Sequence, residues 1–397
     1  MREFFPILGT RINGRPLLYY DNAATLQMPA PVLEAVEHHY IHANGNVHRS
    51  SYTLARESQE AMEQARETVA WFIGAEREEI IFTSGTTQSI NMLAQMIGQQ
   101  LCPGDEIIVS ALEHHSNLLP WVELCKRTGI EVRIIPVTET GDLDLEAYGR
   151  LLSHRTRLVC VTWVSNAIGT VNPVEEITAM AHRAGSRVLV DGAQAMLHLP
   201  VDVGRVDCDF LAFSGHKLGA LTGIGVLYGK KALLEELEPV YVGGGMVDSV
   251  RDLCPCYAPA PHRFEAGTPN YVGAISLGAA IDFLQNFGIP ALSAHTQKVI
   301  EGVREMVSAQ GGHILGCPKQ HTGVLSVTFP GVHPYDLACV LDQYGVAVRA
   351  GQHCASYALA QLGVEQTLRI SPAFYNSLEE LEPLGQALEA SLKLLRG

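Results

Sequence analysis

From about residue 55 to 230, strand-like runs alternate with helix-like ones, and this alternation restricts the fold more than any other feature of the chain. The stretches 80–83, 106–109, 132–135, 158–162, 187–190 and 210–213 are short and rich in Val, Ile, Leu and Phe, and read as strands. Between them the spacing changes: Met62, Ala65, Val69, Phe72 and Ile73 fall on one helical face, and Gly74 supplies a stop. Strand and helix in strict turn specify an α/β protein with a mostly parallel sheet covered by helices. Ligands in such folds bind just outside the carboxyl ends of the strands.

Two of those ends carry reactive groups. The run 187–190 closes on Asp191-Gly192-Ala193-Gln194, and the run 210–213 on Ser214-Gly215-His216-Lys217. An acid and a lysine so placed suit a pyridoxal phosphate enzyme. The amine holds the cofactor aldehyde as a Schiff base, and the carboxylate keeps the pyridine nitrogen protonated so that the ring accepts electrons. A phosphate cup is expected at Thr83-Ser84-Gly85-Thr86-Thr87, where glycine permits close backbone approach, hydroxyls donate, and a helix start at 88–97 attracts an anion. Taken alone, that cluster reads equally well as a turn with an N-cap. In Glu113-His114-His115-Ser116-Asn117, a histidine after a strand suits stacking on a planar ring or proton transfer, or else an ordinary surface loop.

With 397 residues, 47% hydrophobic and 18% charged, the chain is long enough for two domains and a large core. A formal net charge of −14 argues against nucleic acid or an anionic membrane as the main partner. No apolar stretch reaches the roughly 18–20 residues of a membrane span, and the start lacks a secretory apolar core. The chain is therefore expected in the cytoplasm. Nine cysteines, an odd and irregularly spaced set, fit free thiols better than a disulfide framework. Cys160 and Cys208 read as small core residues, while Cys254-Pro255-Cys256 is a weak redox or metal candidate; no metal site is expected. Residues 243–262 break the alternation and read as a surface excursion. Beyond about 283 longer helices dominate, with a strand at 324–329. A final helix is opened by a capping box of Ser377 and Glu380, with Pro383 awkward in its first turn. The expected division is a large domain over 16–282 and a smaller one made of 283–397 with residues 1–15.

These motifs, in this order, resemble the Suf-type (group II) cysteine desulfurases, within the class V aminotransferase family of PLP fold type I. The resemblance runs from Tyr20-Asp21-Asn22-Ala23-Ala24 through Val47-His48-Arg49, Val164-Ser165-Asn166, Arg263-Phe264-Glu265-Ala266-Gly267-Thr268-Pro269-Asn270 and Arg349-Ala350-Gly351-Gln352-His353-Cys354 to Arg369 and Tyr375-Asn376. It implies an aspartate aminotransferase-like fold, with a mainly parallel seven-stranded sheet in the large domain and a smaller C-terminal α+β domain.

The resemblance also implies roles. Lys217 would carry the cofactor and move protons at the substrate Cα, Asp191 would pair with the pyridine nitrogen, Gln194 with the phenolic oxygen, and His114 would stack on the ring. Thr86, Thr87, Ser214 and His216 would hold the phosphate, with Thr268 reaching in from the second subunit of a homodimer. Arg369 and Asn166 would bind the substrate carboxylate, and His48 and Arg349 would line the same pocket. Cys354 would attack the substrate sulfur, leaving alanine and a persulfide for an acceptor protein. Arg349, and His353 if protonated, would favour its thiolate. L-Cysteine is the implied substrate. L-Selenocysteine lyase or another C–S lyase chemistry is the alternative that does not need Cys354, and a non-catalytic scaffold the alternative that needs none of these groups. Two departures stand out: Gln352 replaces the usual first histidine before Cys354, and Gly219-Ala220-Leu221 replaces the usual Tyr-Gly-Pro.

Overall fold

The computed structural model describes residues 1–47 and 51–397. Its centre is a seven-stranded sheet made of β1 (Ile80–Thr83), β2 (Glu106–Ser110), β3 (Glu131–Ile135), β4 (Thr156–Thr162), β5 (Arg187–Asp191), β6 (Phe210–Ser214) and β7 (Gly225–Gly229), in the order β1-β7-β6-β5-β4-β2-β3. β7 runs antiparallel to both of its neighbours, β1 and β6, and the remaining pairs are parallel. Apart from the half-buried Arg187, every residue of β5 and β6 is buried, as a sheet covered on both faces demands.

The two covering layers divide the strand residues by their period of two. Ile108, Val159, Val161, Val188, Val190, Leu211 and Phe213 pack into one core, which α1 (Thr53–Ile73) and α3 (Tyr271–Gln285) cover. Ile107, Val109, Leu158, Cys160, Leu189, Phe210 and Ala212 pack into the other, beneath α2 (Thr86–Gly98). Each fully buried Val, Leu, Ile or Phe contributes about 1.5–3 kcal/mol, so the pleat itself holds the helices on opposite faces. The expected stripe of Met62, Ala65, Val69, Phe72 and Ile73 is buried on α1, and Gly74 ends that helix at φ 72°. Cys160 and Cys208 are buried in these cores, and all nine cysteines are free thiols.

The excursion after β7 is an exposed antiparallel hairpin, β8 (Val247–Arg251) and β9 (Cys254–Tyr257), with Cys254 and Cys256 both exposed on β9. Further on, α4 (Ile289–Ala309) begins in the large core through Ile289 and Leu292. It ends in a third core through Val299, Ile300, Val303 and Val307. That core backs a four-stranded antiparallel sheet of β10 (His313–Ile314), β11 (Leu325–Thr328), β12 (Arg349–Gly351) and β13 (Thr367–Ile370), in the order β10-β11-β13-β12. The chain start is shared: Phe5 and Leu8 sit in the large core, Leu18 and Tyr20 in the third.

The final helix, α5 (Leu381–Arg396), departs from expectation at its start. Ser377 makes no side-chain cap bond, and Glu380 is drawn inward to Arg2 and to Asn376 Nδ2 (2.8 Å) instead of back to the Ser377 backbone. Pro383 is accommodated as the third residue of α5, where its missing N–H would have had no intrahelical acceptor. Among the described residues, no single helix is long and apolar enough to cross a membrane.

Candidate active site

The carboxyl ends of β4, β5 and β6 lie side by side, since Thr162 is in register with Asp191, and Asp191 with Ala212. They form the floor of a cavity whose lining includes Thr86, Thr87, His114, Asn166, Asp191, Gln194, Ser214, His216, Lys217, Arg349, Cys354 and Arg369, every described site residue expected from sequence except Thr268. Thr268 is exposed and does not line this cavity of its own chain. His48 lies outside the described residues.

One wall is built to take an anion. α2 starts just after β1 with Gly85 at its N-cap, which has no side chain to cap the helix, so the helix start is open to an anion. Ser214 Oγ meets both the Thr86 N–H (2.8 Å) and Thr86 Oγ1 (2.7 Å), and Thr87 Oγ1 meets Ser116 Oγ (2.7 Å). Gly225 on β7 makes this possible: a Cβ there would collide with the Gly85 backbone. His216 contributes a neutral ring, held down to about 4 by burial and by the Lys217 charge.

The floor carries the acid and the amine. Asp191 is 3% exposed and accepts the Ala193 N–H at 2.9 Å; burial raises its pKa, so ionisation calls for a cation in contact with it. Lys217 is enclosed by the cavity walls with part of its surface open to the cavity. Enclosure lowers its pKa to about 8, helped by Arg369 and Arg349 and opposed by Asp191 and Cys354. A buried carboxyl, a weakly basic lysine and a hydroxyl-lined helix start fit a phosphorylated pyridine that bears an aldehyde.

His114 is neutral too, pushed down to about 3 by burial first and then by the charges of Lys217, His115, Arg369 and Arg349. The Ser116 N–H points at its Nδ1 (3.1 Å), which leaves the ring proton on Nε2. Gln194 spends one amide hydrogen on the Ala23 carbonyl (2.7 Å) and keeps the second.

The opposite wall belongs to the small sheet. Register places Arg349 on β12 directly across from Arg369 on β13. Like charges in that relation oppose folding, and an anion between them removes the penalty. Asp21 supplies part of the balance: its Oδ1 accepts from Arg369 Nη2 at 2.8 Å, and Arg369 Nη1 donates to the Asn166 carbonyl at 3.0 Å. Among the described residues Arg369 Nε is buried without a partner, which leaves a donor to be satisfied by a ligand.

Sequence reading missed several of these groups. Asp21 was visible only as part of a motif, because its role depends on its bridge to Ser371 beside β13. Ser116 and Thr162 also line the cavity. Beneath it lies Glu113, whose carboxyl meets the Thr162 N–H (2.6 Å), Asn117 Nδ2 (2.7 Å) and Ser110 Oγ; burial pushes it up to about 8, aided by Asp191. His353, a conditional source of positive charge, is held neutral near 3 by burial and by Arg369 and Arg349, so it lends no charge to the neighbouring thiol. Among the described residues, no group of three or more His, Cys, Asp or Glu could hold a metal ion.

A cavity of this kind, at the strand ends of this sheet, defines an aminotransferase-like enzyme class, and the comparisons agree. The description "Aminotransferase class-V" matches residues 18–384, and the chain belongs to that family. More particularly, it is 46% identical over 98% of its length to a cysteine desulfurase of Synechococcus elongatus, of which it spans 62%. It is 44% identical over 98% of its length to a probable cysteine desulfurase of Halalkalibacterium halodurans, of which it spans 96%. Among solved structures it superposes on a cysteine desulfurase from Thermococcus onnurineus NA1 with TM-score 0.94 at 37% identity, covering 99% of this chain and 97% of that one.

Proposed function

We propose that this chain is a cysteine desulfurase that uses pyridoxal phosphate, acts on L-cysteine, and leaves L-alanine and a persulfide on Cys354. The single observation that carries this reading is that Lys217 and Cys354 open into one cavity between Asp191 on one side and the Arg349–Arg369 pair on the other. Bound there, pyridoxal phosphate supplies an electron sink that loosens the substrate Cα proton and weakens the Cβ–S bond.

The chain's own groups supply the rest. Lys217 Nζ would hold the cofactor and take the proton from the substrate Cα. Asp191 keeps the pyridine nitrogen protonated, Gln194 serves the phenolic oxygen, and His114 serves the ring face. Thr86, Thr87, Ser214 and His216 receive the phosphate, with Thr268 of a second copy completing the cup in a homodimer. Arg369, Asn166 and Arg349, with His48, hold the substrate carboxylate. The Cys354 thiolate attacks the substrate sulfur: an S–S bond forms, the Cβ–S bond breaks, and its electron pair stays on Cβ, which is reprotonated. One cysteine and one thiol thus give one alanine and one persulfide.

An acceptor thiol must then enter the cavity, since β12 ends at Gly351 and the next helix starts at Ser356, which leaves Cys354 a very short tether. L-Selenocysteine offers the same carboxylate and amine to these groups. We place the enzyme in the cytoplasm and divide it into a large domain over 16–282 and a small one over 283–397. Residues 1–15 go with the small domain, where Phe5 packs on Phe283 and on Tyr375.

Three results test this reading. Alanine should appear from L-cysteine in step with cysteine consumed; formation of a keto acid instead would indicate a transaminase. The neutral fraction of Lys217 grows as pH rises through about 8, so covalent uptake of pyridoxal phosphate by cofactor-free protein should speed up over that range and level off above it, followed by visible absorbance. A rate still climbing at the pKa of a free lysine would contradict an enclosed Lys217. Arg369→Lys should raise KM for L-cysteine about 10- to 100-fold, the worth of a charge-assisted fork at 1.5–3 kcal/mol, with a smaller effect on kcat. An unchanged KM would move the carboxylate site elsewhere.

A further inference from the structure

The turn that carries Cys354 is held in a conformation its residues do not favour. His353 and Cys354 lie at φ 55° and φ 54°, two successive non-glycine residues in the left-handed region. Such a pair persists only where the surroundings hold it. Two long-range contacts do so on the backbone: Asn166 Nδ2 donates to the His353 carbonyl at 2.7 Å, and the His115 N–H donates to the Cys354 carbonyl at 2.7 Å. His115 adds its ring two residues further on, where Nε2 meets Ser356 Oγ at 2.9 Å and the Ser356 N–H at 3.3 Å. The N–H points at Nε2, so this nitrogen is the acceptor and Nδ1 carries the proton. His115 therefore holds the turn at Cys354 itself and at Ser356, while staying outside the cavity lining.

Its own footing is rigid. The short helix His115–Asn117 is pinned to β4, since Asn117 Nδ2 donates to Glu113 and Glu113 accepts the Thr162 N–H. Trp121 Nε1 donates to Asn117 Oδ1 at 3.2 Å beneath it.

We propose that His115 is a positioning residue for the Cys354 thiol, acting through the 353–356 turn and its ring contact with Ser356. The inference deepens the reading of Cys354 as sulfur acceptor and rests on it. Loss of the ring lets the turn relax toward extended backbone, which carries the thiol off its line of attack while the cofactor and carboxylate groups stay in place.

The test compares His115→Ala, His115→Gln and Ser356→Ala in the full-length cofactor-loaded enzyme. Cofactor absorbance and the spectral change on adding L-cysteine should match the parent in all three. Single-turnover sulfur loading of Cys354 should slow about ten-fold or more in His115→Ala, since an ångström of misplacement costs up to about a hundred-fold. Gln, whose amide reaches the place of Nε2, should restore the rate to within about two-fold. Ser356→Ala, which keeps its N–H, should fall between, and adding it to His115→Ala should cost little more, because both remove one contact.

Alkylation of Cys354 by iodoacetamide, followed on its own peptide by mass spectrometry without substrate, should change at least about three-fold in His115→Ala and recover in His115→Gln. Unchanged sulfur loading and alkylation in His115→Ala would overturn the proposal, as would equal losses in substrate binding and sulfur loading. If the parent enzyme places no sulfur on Cys354, the desulfurase reading fails, and the alkylation series still decides whether His115 positions the thiol.

Discussion

Lys217→Ala is expected to give a colourless protein that forms alanine from L-cysteine at least about a thousand-fold more slowly than the parent. The substitution removes two functions at once. No other lysine lines the cavity, so covalent attachment of the cofactor is lost, and so is the base that handles the Cα proton. Lys217 is absent from the packed apolar cores, so the fold should survive. Far-ultraviolet circular dichroism should be unchanged, while visible absorbance and alanine output collapse. Parental alanine output from this variant would end the assignment.

Cys354→Ser should separate the cofactor chemistry from sulfur transfer. Serine matches cysteine in size and tolerates φ near 54° as well as cysteine does, so the turn should hold its shape. Its hydroxyl is a poor nucleophile toward sulfur at neutral pH, because hydroxyls ionise far less than thiols. The variant should keep its visible absorbance and its spectral response to L-cysteine. Alanine formation should fall by about a hundred-fold or more, a loss typical of removing an activated nucleophile. Activity toward L-selenocysteine should fall less, since selenium leaves carbon without thiolate assistance. Parental activity on L-cysteine would favour the C–S lyase alternative and retire Cys354 as the sulfur acceptor.

Much of the site was legible because it depends on strand ends. Asp191 and Lys217 follow apolar runs long enough to be recognised, and in a parallel sheet those runs deliver their last residues to one edge. The segment proposed as a phosphate cup was legible for a similar reason, a glycine and hydroxyls between a strand and a helix. β7 was harder, since Gly225-Val226-Leu227-Tyr228-Gly229 is brief, bounded by glycines and reversed relative to β6. Other features depend on tertiary distance alone. Asp21 meets Arg369 across 348 positions of sequence, and Glu113 meets the Thr162 backbone across 49, with nothing local to announce either. Glu380 shows the same limit from the other side: its spacing from Ser377 spells a capping box, yet Arg2 lies close enough to claim it.

The cavity walls also explain which histidines carry charge. Three rings in or beside the site, His114, His216 and His353, are kept neutral by burial and by the neighbouring cations. Positive charge at the thiol therefore comes from Arg349, Arg369 and the protonated fraction of Lys217, all of which line the cavity with Cys354.

The most direct test of the central claim is one turnover with L-cysteine in slight excess over enzyme sites and no thiol reductant. Alanine should be counted while the mass of the Cys354 peptide is followed in the same samples. One alanine per site, appearing in a burst at the rate at which the Cys354 peptide gains one sulfur atom, is the expected result. Alanine formed steadily with free sulfide and no added sulfur on Cys354, or sulfur gained instead by another of the cysteines, would contradict it.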